Sequence, residues 1–215
     1  TSTRAQDAPH LDLQALIRPW QKQPVVQAPA QCQALDLAPL WPGAPQTRLN
    51  GQSNVKPEGD AWLLDAQLTN LTPGPWDQAR LPVSQLRVRA RHHLGLWQVQ
   101  QLQAELASGQ VQGQGQQTLL GWTGLLDVSG LVPAQMHSAM AGPPMQGRLQ
   151  AQSVALNRIA IQADLTTQDL PGKGSFASKR PTTTAGRPSW ERLHLQGQWQ
   201  GDEWDIASLK IDAAQ

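Results

Sequence analysis

Trp97-Gln98-Val99-Gln100-Gln101-Leu102-Gln103-Ala104 is the stretch on which the fold turns. Its apolar residues alternate with glutamine, slip by one position at Gln100-Gln101, and alternate again. Alternation is the signature of a half-buried strand, because successive strand side chains point to opposite faces of a sheet. The slip matches a β-bulge, in which one extra residue bends the strand and returns the apolar side chains to their original face. A helix would also bring these positions partly together, but Gly109, Gly113 and Gly115 follow at once. The pattern returns as Trp204-Asp205-Ile206-Ala207-Ser208-Leu209-Lys210-Ile211, preceded by Gly201. Both copies read as bulged strands.

The same period of two extends outward along the chain. Trp62, Leu64, Ala66 and Leu68 alternate with polar or small residues, as do Ile159, Ile161, Ala163 and Leu165, and Leu193, Leu195, Gly197 and Trp199. Proline and glycine interrupt almost every window long enough for a helix. Strand-and-turn units also repeat. Leu63-Leu64-Asp65-Ala66 leads to Leu71-Thr72-Pro73, and Leu125-Leu126-Asp127-Val128 leads to Leu131-Val132-Pro133, at an offset of about sixty residues. Each copy continues through a polar insert to a second proline, at Leu81-Pro82-Val83 and Pro143-Pro144-Met145. Asp65 and Asp127 fall at matching positions, which suggests a structural role at a strand start. A shorter echo links Leu11-Asp12-Leu13-Gln14-Ala15-Leu16 to Leu35-Asp36-Leu37-Ala38-Pro39-Leu40.

These patterns predict an all-β protein: an elongated, repetitive, largely antiparallel sheet. Residues 1–34 read as a Pro-rich opening segment, partly extended, with Pro19, Pro24 and Pro29. Residues 35–170 carry the repeated sheet. Residues 171–189, rich in Gly, Pro, Ser, Thr and basic side chains (Lys173, Lys179, Arg180, Arg187), read as a flexible basic loop whose charge serves solvation. Residues 190–215 resume the strands. The polar opening Thr1-Ser2-Thr3-Arg4 and the stop just after the strand pattern at Ile211 suggest a segment of a longer chain.

Composition removes several functions. The 215 residues carry a formal net charge of +1 and only 15% charged residues, with no concentrated basic face to release counterions from a phosphate backbone. Glutamine supplies much of the polar surface instead. No apolar run approaches the roughly 20 residues of a spanning helix. The single Cys32 has Gln31, Gln33 and Ala30 as near neighbours, with no basic group to activate its thiol. His92-His93 are adjacent, so on a strand their rings diverge and do not converge on a metal; they read as part of a solvated turn before a strand starting near Leu96. The acidic residues Asp60, Asp65, Asp77, Glu105, Asp127 and Asp164 are scattered, with no local acid–base pair. Gly172-Lys173-Gly174-Ser175 lacks the glycine spacing and the strand-to-helix setting of a phosphate loop. The residues therefore give no reason to expect an enzyme, a cofactor or a metal site.

Nine Trp against one Phe, Phe176, and no Tyr is a lopsided aromatic usage. Trp97, Trp122, Trp199 and Trp204 lie in or beside alternating strands, where they either pack a core or line an open apolar surface. Trp20, Trp41 and Trp76 lie in Pro-rich turns, where stacking on a sugar is conceivable.

Residues 35–51, from Leu35-Asp36-Leu37-Ala38-Pro39-Leu40-Trp41-Pro42 to Leu49-Asn50-Gly51, resemble the TamB/AsmA-like family of translocation and assembly module inner-membrane components. So do Asn70-Leu71-Thr72-Pro73-Gly74-Pro75-Trp76-Asp77, Arg80-Leu81-Pro82-Val83 and the stretch Gly95–Gly115 with Trp97, Gly109 and Gly113. The resemblance spans residues 35–165. It implies an internal periplasmic segment of a chain anchored in the inner membrane of a Gram-negative bacterium, its sheet curled into an open, apolar-lined groove of the β-taco kind. It further implies phospholipid carriage between the inner and outer membranes, support of outer-membrane biogenesis, and an outer-membrane barrel partner (TamA-like) engaged through other parts of the chain.

The residues expected to line such a groove are Leu64, Leu68, Val88, Trp97, Val99, Leu102, Leu106, Leu149, Ile159, Ile161, Leu165, Leu193, Leu195, Trp199, Trp204, Ile206, Leu209 and Ile211. With no amphipathic helix to cover it, a one-sided apolar sheet closes on itself, pairs with a second sheet or curls around a ligand. Phospholipid acyl chains satisfy the last option. Two other readings stand beside it: a scaffold pairing its sheet edges with outer-membrane protein clients, and a carbohydrate-binding β-sandwich using the turn tryptophans.

Overall fold

The computed structural model describes residues 9–17, 25–155, 158–167, 190–200 and 203–213. The chain is all-β. Its strands are β1 (His10–Leu13), β2 (Leu16–Ile17), β3 (Val25–Leu35), β4 (Leu49–Glu58), β5 (Ala61–Asn70), β6 (Val83–His93), β7 (Leu96–Leu106), β8 (Gly109–Thr118), β9 (Gly121–Leu131), β10 (Met145–Ala155), β11 (Arg158–Thr167), β12 (Trp190–Gln200) and β13 (Glu203–Ala213). They make one 13-stranded sheet in which each strand from β3 onward pairs with the next; β1 pairs with β3, and β2 lies off the path against β3. Every strand pairing is antiparallel. The two end strands do not meet, so the sheet curls without closing into a barrel. Helical structure among the described residues is confined to a 3-10 turn, Trp76–Gln78, and one helical turn, α1 (Pro133–Met136).

Both expected bulges are present. Opposite β8, Val99 pairs with Gly115 and Leu102 with Gly113, so Gln100 and Gln101 together face the single residue Gln114. Opposite β12, Ile206 pairs with Gly197 and Ser208 with Gln196, leaving Ala207 as the extra residue. The slip written in the sequence is thus an extra residue in the ladder, and the apolar residues on its two sides keep one face.

The meander has two unlike rims. On one, tight turns join β4 to β5, β6 to β7 and β8 to β9. Gly59 (φ 60°) sits at the first of these, and Leu94 (φ 50°) with Gly95 (φ 80°) forms the second, the left-handed pair whose twist suits a two-residue hairpin. The opposite rim carries the long connections 36–48, 71–82 and 132–144. These are pinned by short polar side chains. Asn70, 4% exposed, accepts the Arg48 N–H (3.3 Å) and the Thr72 N–H (3.1 Å), and its amide donates to the Leu81 carbonyl (3.2 Å). This gives the Asn70-Leu71-Thr72-Pro73-Gly74 turn its physical basis. Asp36 accepts the Thr47 N–H (2.9 Å) and the Ala38 N–H (3.1 Å) in the preceding connection.

The two repeated inserts touch each other. Asp77 of one accepts the Ser138 N–H of the other (2.9 Å) as well as the Ser138 hydroxyl. These hydrogen bonds, the hydroxyl first, hold the Asp77 carboxyl below its ordinary pKa.

Several sequence expectations are corrected. His92 and His93 are the last residues of β6, and the turn is Leu94-Gly95. Asp65 and Asp127 lie inside β5 and β9, not at strand starts, and each forms a cross-strand ion pair: Arg89–Asp65 at 3.1 Å and Arg148–Asp127 at 2.9 Å. Within the Pro-rich opening segment, residues 25–34 belong to a strand paired by β1 and β4. The echo between Leu11 and Leu35 has no structural counterpart, since Leu11 is inside β1 whereas Leu35 ends β3 and is followed by turns. The basic loop 171–189 and Trp20 lie outside the described residues.

Two outcomes are expected. A Cβ at Gly113 would stand 2.3 Å from Leu126 Cδ2 and 2.7 Å from the Leu125 carbonyl oxygen, whereas at Gly124 the nearest atoms are 3.9 Å away. Gly113→Ala should therefore lower stability by about 1–3 kcal/mol, and Gly124→Ala should leave the melting temperature nearly unchanged, as checked by thermal unfolding. Because folding depresses the Asp77 pKa, the contact with Ser138 is fully present above the ordinary carboxylate range and is lost as pH falls through the lowered folded value. Ser138→Ala should move the Asp77 pKa upward in a carboxyl-carbon NMR titration.

Candidate functional site

Residues paired across antiparallel strands share a face, so the register fixes where each candidate stands. One row runs Val55, Leu64, Ala90, Val99, Gly115, Gly124, Ala151, Ile161, Gly197, Ile206. A second runs Gly51, Leu68, Leu86, Ala104, Val111, Val128, Gly147, Leu165, Leu193, Ile211. Between them lies a third: Ser53, Ala66, Val88, Leu102, Gly113, Leu126, Leu149, Ala163, Leu195, Leu209. Toward the tight-turn rim, Trp62 pairs with His92 and His92 with Trp97, Gln117 pairs with Trp122, and Ile159, Trp199 and Trp204 follow in register. Leu106, toward the other rim, pairs with Val83 and Gly109. Every candidate named from the sequence thus takes a register position on one face.

The alternation signal missed part of this face. Val55, Leu86, Val111, Leu126 and Val128 complete the rows. Val111 and Val128 are buried at 6% exposure because they stand side by side in one row. Neither was conspicuous in the sequence, since Val111 stands among Gln and Gly and Val128 in an irregular apolar cluster. Glycines interrupt the rows where a neighbour already fills the space: Leu68 lies over Gly51, and Leu126 over Gly113.

No second layer covers this face among the described residues. No large side chain there is fully buried, and the buried apolar set is mostly alanine and valine. Toward β13 the exposure rises, with Ile206 at 54% and Leu209 at 51%. The face is therefore sheltered by its own side chains and by the curl of the sheet.

The opposite face is polar. Gln31, Gln52, Gln67, Arg87, Gln103, Gln112, Asp127, Arg148, Asp164, His194 and Lys210 form one cross-strand row. Opposite charges stand beside each other in its later part, where His194 bonds Asp164 and, as the leading cause, holds that carboxyl below its ordinary pKa. A concavity of about 850 Å³ spans β7 to β13. It is lined by glutamines of the polar face, Gln98, Gln114, Gln150 and Gln162, together with Val99, Ala151 and Ile161 of the first apolar row. Accumulated strand twist makes a broad sheet saddle-shaped, so each face is hollow along one direction.

Other sequence candidates separate in space. Cys32 sits between Leu11 and Gly51 in the apolar rows, and burial pushes its thiol pKa up. A raised pKa lowers the thiolate fraction, the reactive form of the group. The His92 ring lies 4.8 Å from the Trp97 ring, tilted by 46°. Trp41 and Trp76 are exposed at 51% and 49% in connections on the long-loop rim. Among the described residues no three of His, Cys, Asp and Glu converge as a metal site would require.

No family model, curated protein or solved structure matches the chain.

An uncovered apolar face should bind an apolar fluorescent dye in the native state at neutral pH. Replacing Leu102 and Leu149 together with Glu should cut that emission severalfold, whereas Gln112→Glu on the opposite face should leave it unchanged.

Proposed function

We propose that the chain is a segment of a TamB/AsmA-like envelope protein whose apolar sheet face carries phospholipid acyl chains between the inner and outer membranes in the periplasm. In this reading the working part is a distributed surface, without a catalytic step or cofactor, and a TamA-like barrel partner is met elsewhere in the longer chain. The observation that carries the reading is the continuity of the apolar rows from β4 to β13 on a face that no described element covers. Such a face needs an apolar occupant, and each acyl CH₂ removed from water contributes about 0.8 kcal/mol. Rows without polar side chains at their centre give a chain many similar contacts along the sheet and no single tight site.

Native mass spectrometry after exposure to phosphatidylethanolamine vesicles tests it. Wild-type protein should retain phospholipid. Val99→Arg and Ile161→Arg each place a charge in one of the apolar rows and should abolish retention, while Gln112→Arg on the polar face should keep it. Circular dichroism establishes that each variant is folded. Equal retention by wild type and both row variants would sink the proposal.

A further inference from the structure

The tight-turn rim carries an apolar feature that the sheet face does not explain. At the β8–β9 turn, Leu119 and Leu120 are 92% and 94% exposed, and at the neighbouring β6–β7 turn Leu94 is 84% exposed. Hairpin tips normally hold Gly, Asn, Asp or Ser, which suit turn backbones and water. Leu94 in addition adopts a left-handed φ of 50°, a conformation in which leucine is disfavoured and asparagine tolerated. Nothing within the fold accounts for leucine at these positions.

Three observations select the occupant. First, the finger is uncharged: from Leu106 to Leu126, the end of β7, all of β8 and its tip, and the first part of β9, no residue carries a charge. Second, its turn is closed by its own side chain. The Thr118 hydroxyl accepts the Leu120 N–H (3.2 Å) and donates to the Gly121 carbonyl (3.1 Å). Each backbone group paired internally lowers the cost of entering a medium that offers few hydrogen bonds. Third, Trp97 and Trp122 stand just behind the two tips, 43% and 40% exposed. An indole behind an aliphatic tip matches the level of lipid headgroups, where tryptophan is favoured. The next turn on the rim carries Glu58 and Asp60, which limits how deep the rim can go.

We infer that the Leu94 and Leu119-Leu120 tips dock this rim of the sheet on a lipid surface, inserting shallowly with Trp97 and Trp122 at the headgroup level. The tips lie outside the rows proposed to carry acyl chains, so docking does not depend on what that face holds.

The test is co-sedimentation of the chain with zwitterionic phosphatidylcholine vesicles, with tryptophan quenching by lipids brominated along the acyl chain. The variant is Leu94→Asn with Leu119→Ser and Leu120→Ser, substitutions that suit tight turns. Wild type should sediment about ten-fold more than the variant, should be quenched by bromine near the headgroups, and should be insensitive to salt between about 0.1 and 0.5 M. The variant should still retain phospholipid in native mass spectrometry, and Val99→Arg should still sediment with vesicles, which separates failure of docking from failure of the carrier reading. Equal sedimentation of wild type and variant overturns the inference. So does a lipid-free self-association of wild type that the variant abolishes, since the tips would then contact a second copy of the chain.

Discussion

The antiparallel backbone ladder keeps one set of side chains on one face across the sheet, and everything else in this molecule follows from it. A one-residue slip in any strand would turn that strand's apolar residues to the glutamine face. The bulges at Gln100-Gln101 and Ala207-Ser208 are where the ladder absorbs an extra residue without that penalty. Where a neighbouring leucine already occupies the space, as at Gly51 and Gly113, glycine lets the strands keep their normal separation.

A sheet stabilised this way differs from a packed domain. Its buried apolar residues are small, and its large ones are partly exposed. Cohesion comes from hydrogen bonds between sequence neighbours, from apolar contacts along the rows and from pinned connections on one rim. Asn70, Asp36 and the Asp77–Ser138 contact hold that rim. On the opposite rim the Leu119-Leu120 turn is held only locally, by the Thr118 hydroxyl.

The two faces are equally unlike. One is aliphatic and aromatic. The other mixes glutamine with a cross-strand series of alternating charges, Asp127, Arg148 and Asp164, continued by the His194 ring bonded to Asp164, whose pairing is local and solvent-exposed. Exposed pairs of this kind contribute little stability each. Their value lies in register, since a slipped strand would set like charges side by side.

The sequence by itself determined the strand character, the repeat and the face of each candidate residue, because a period of two is a local property and a bulge leaves a local slip. It could not place His92-His93 or Asp65 and Asp127, whose positions depend on how far each strand extends and on which arginine stands across from it. Val111 carried no local signal, and Val128 was read only as part of the repeat, because their burial comes from each other, across two strands. Only the tertiary structure decided that no described element covers the apolar face, that the two repeated inserts meet at Asp77 and Ser138, and that Leu94, Leu119 and Leu120 share one rim. Those are relations between residues far apart in the chain, and no local pattern records them.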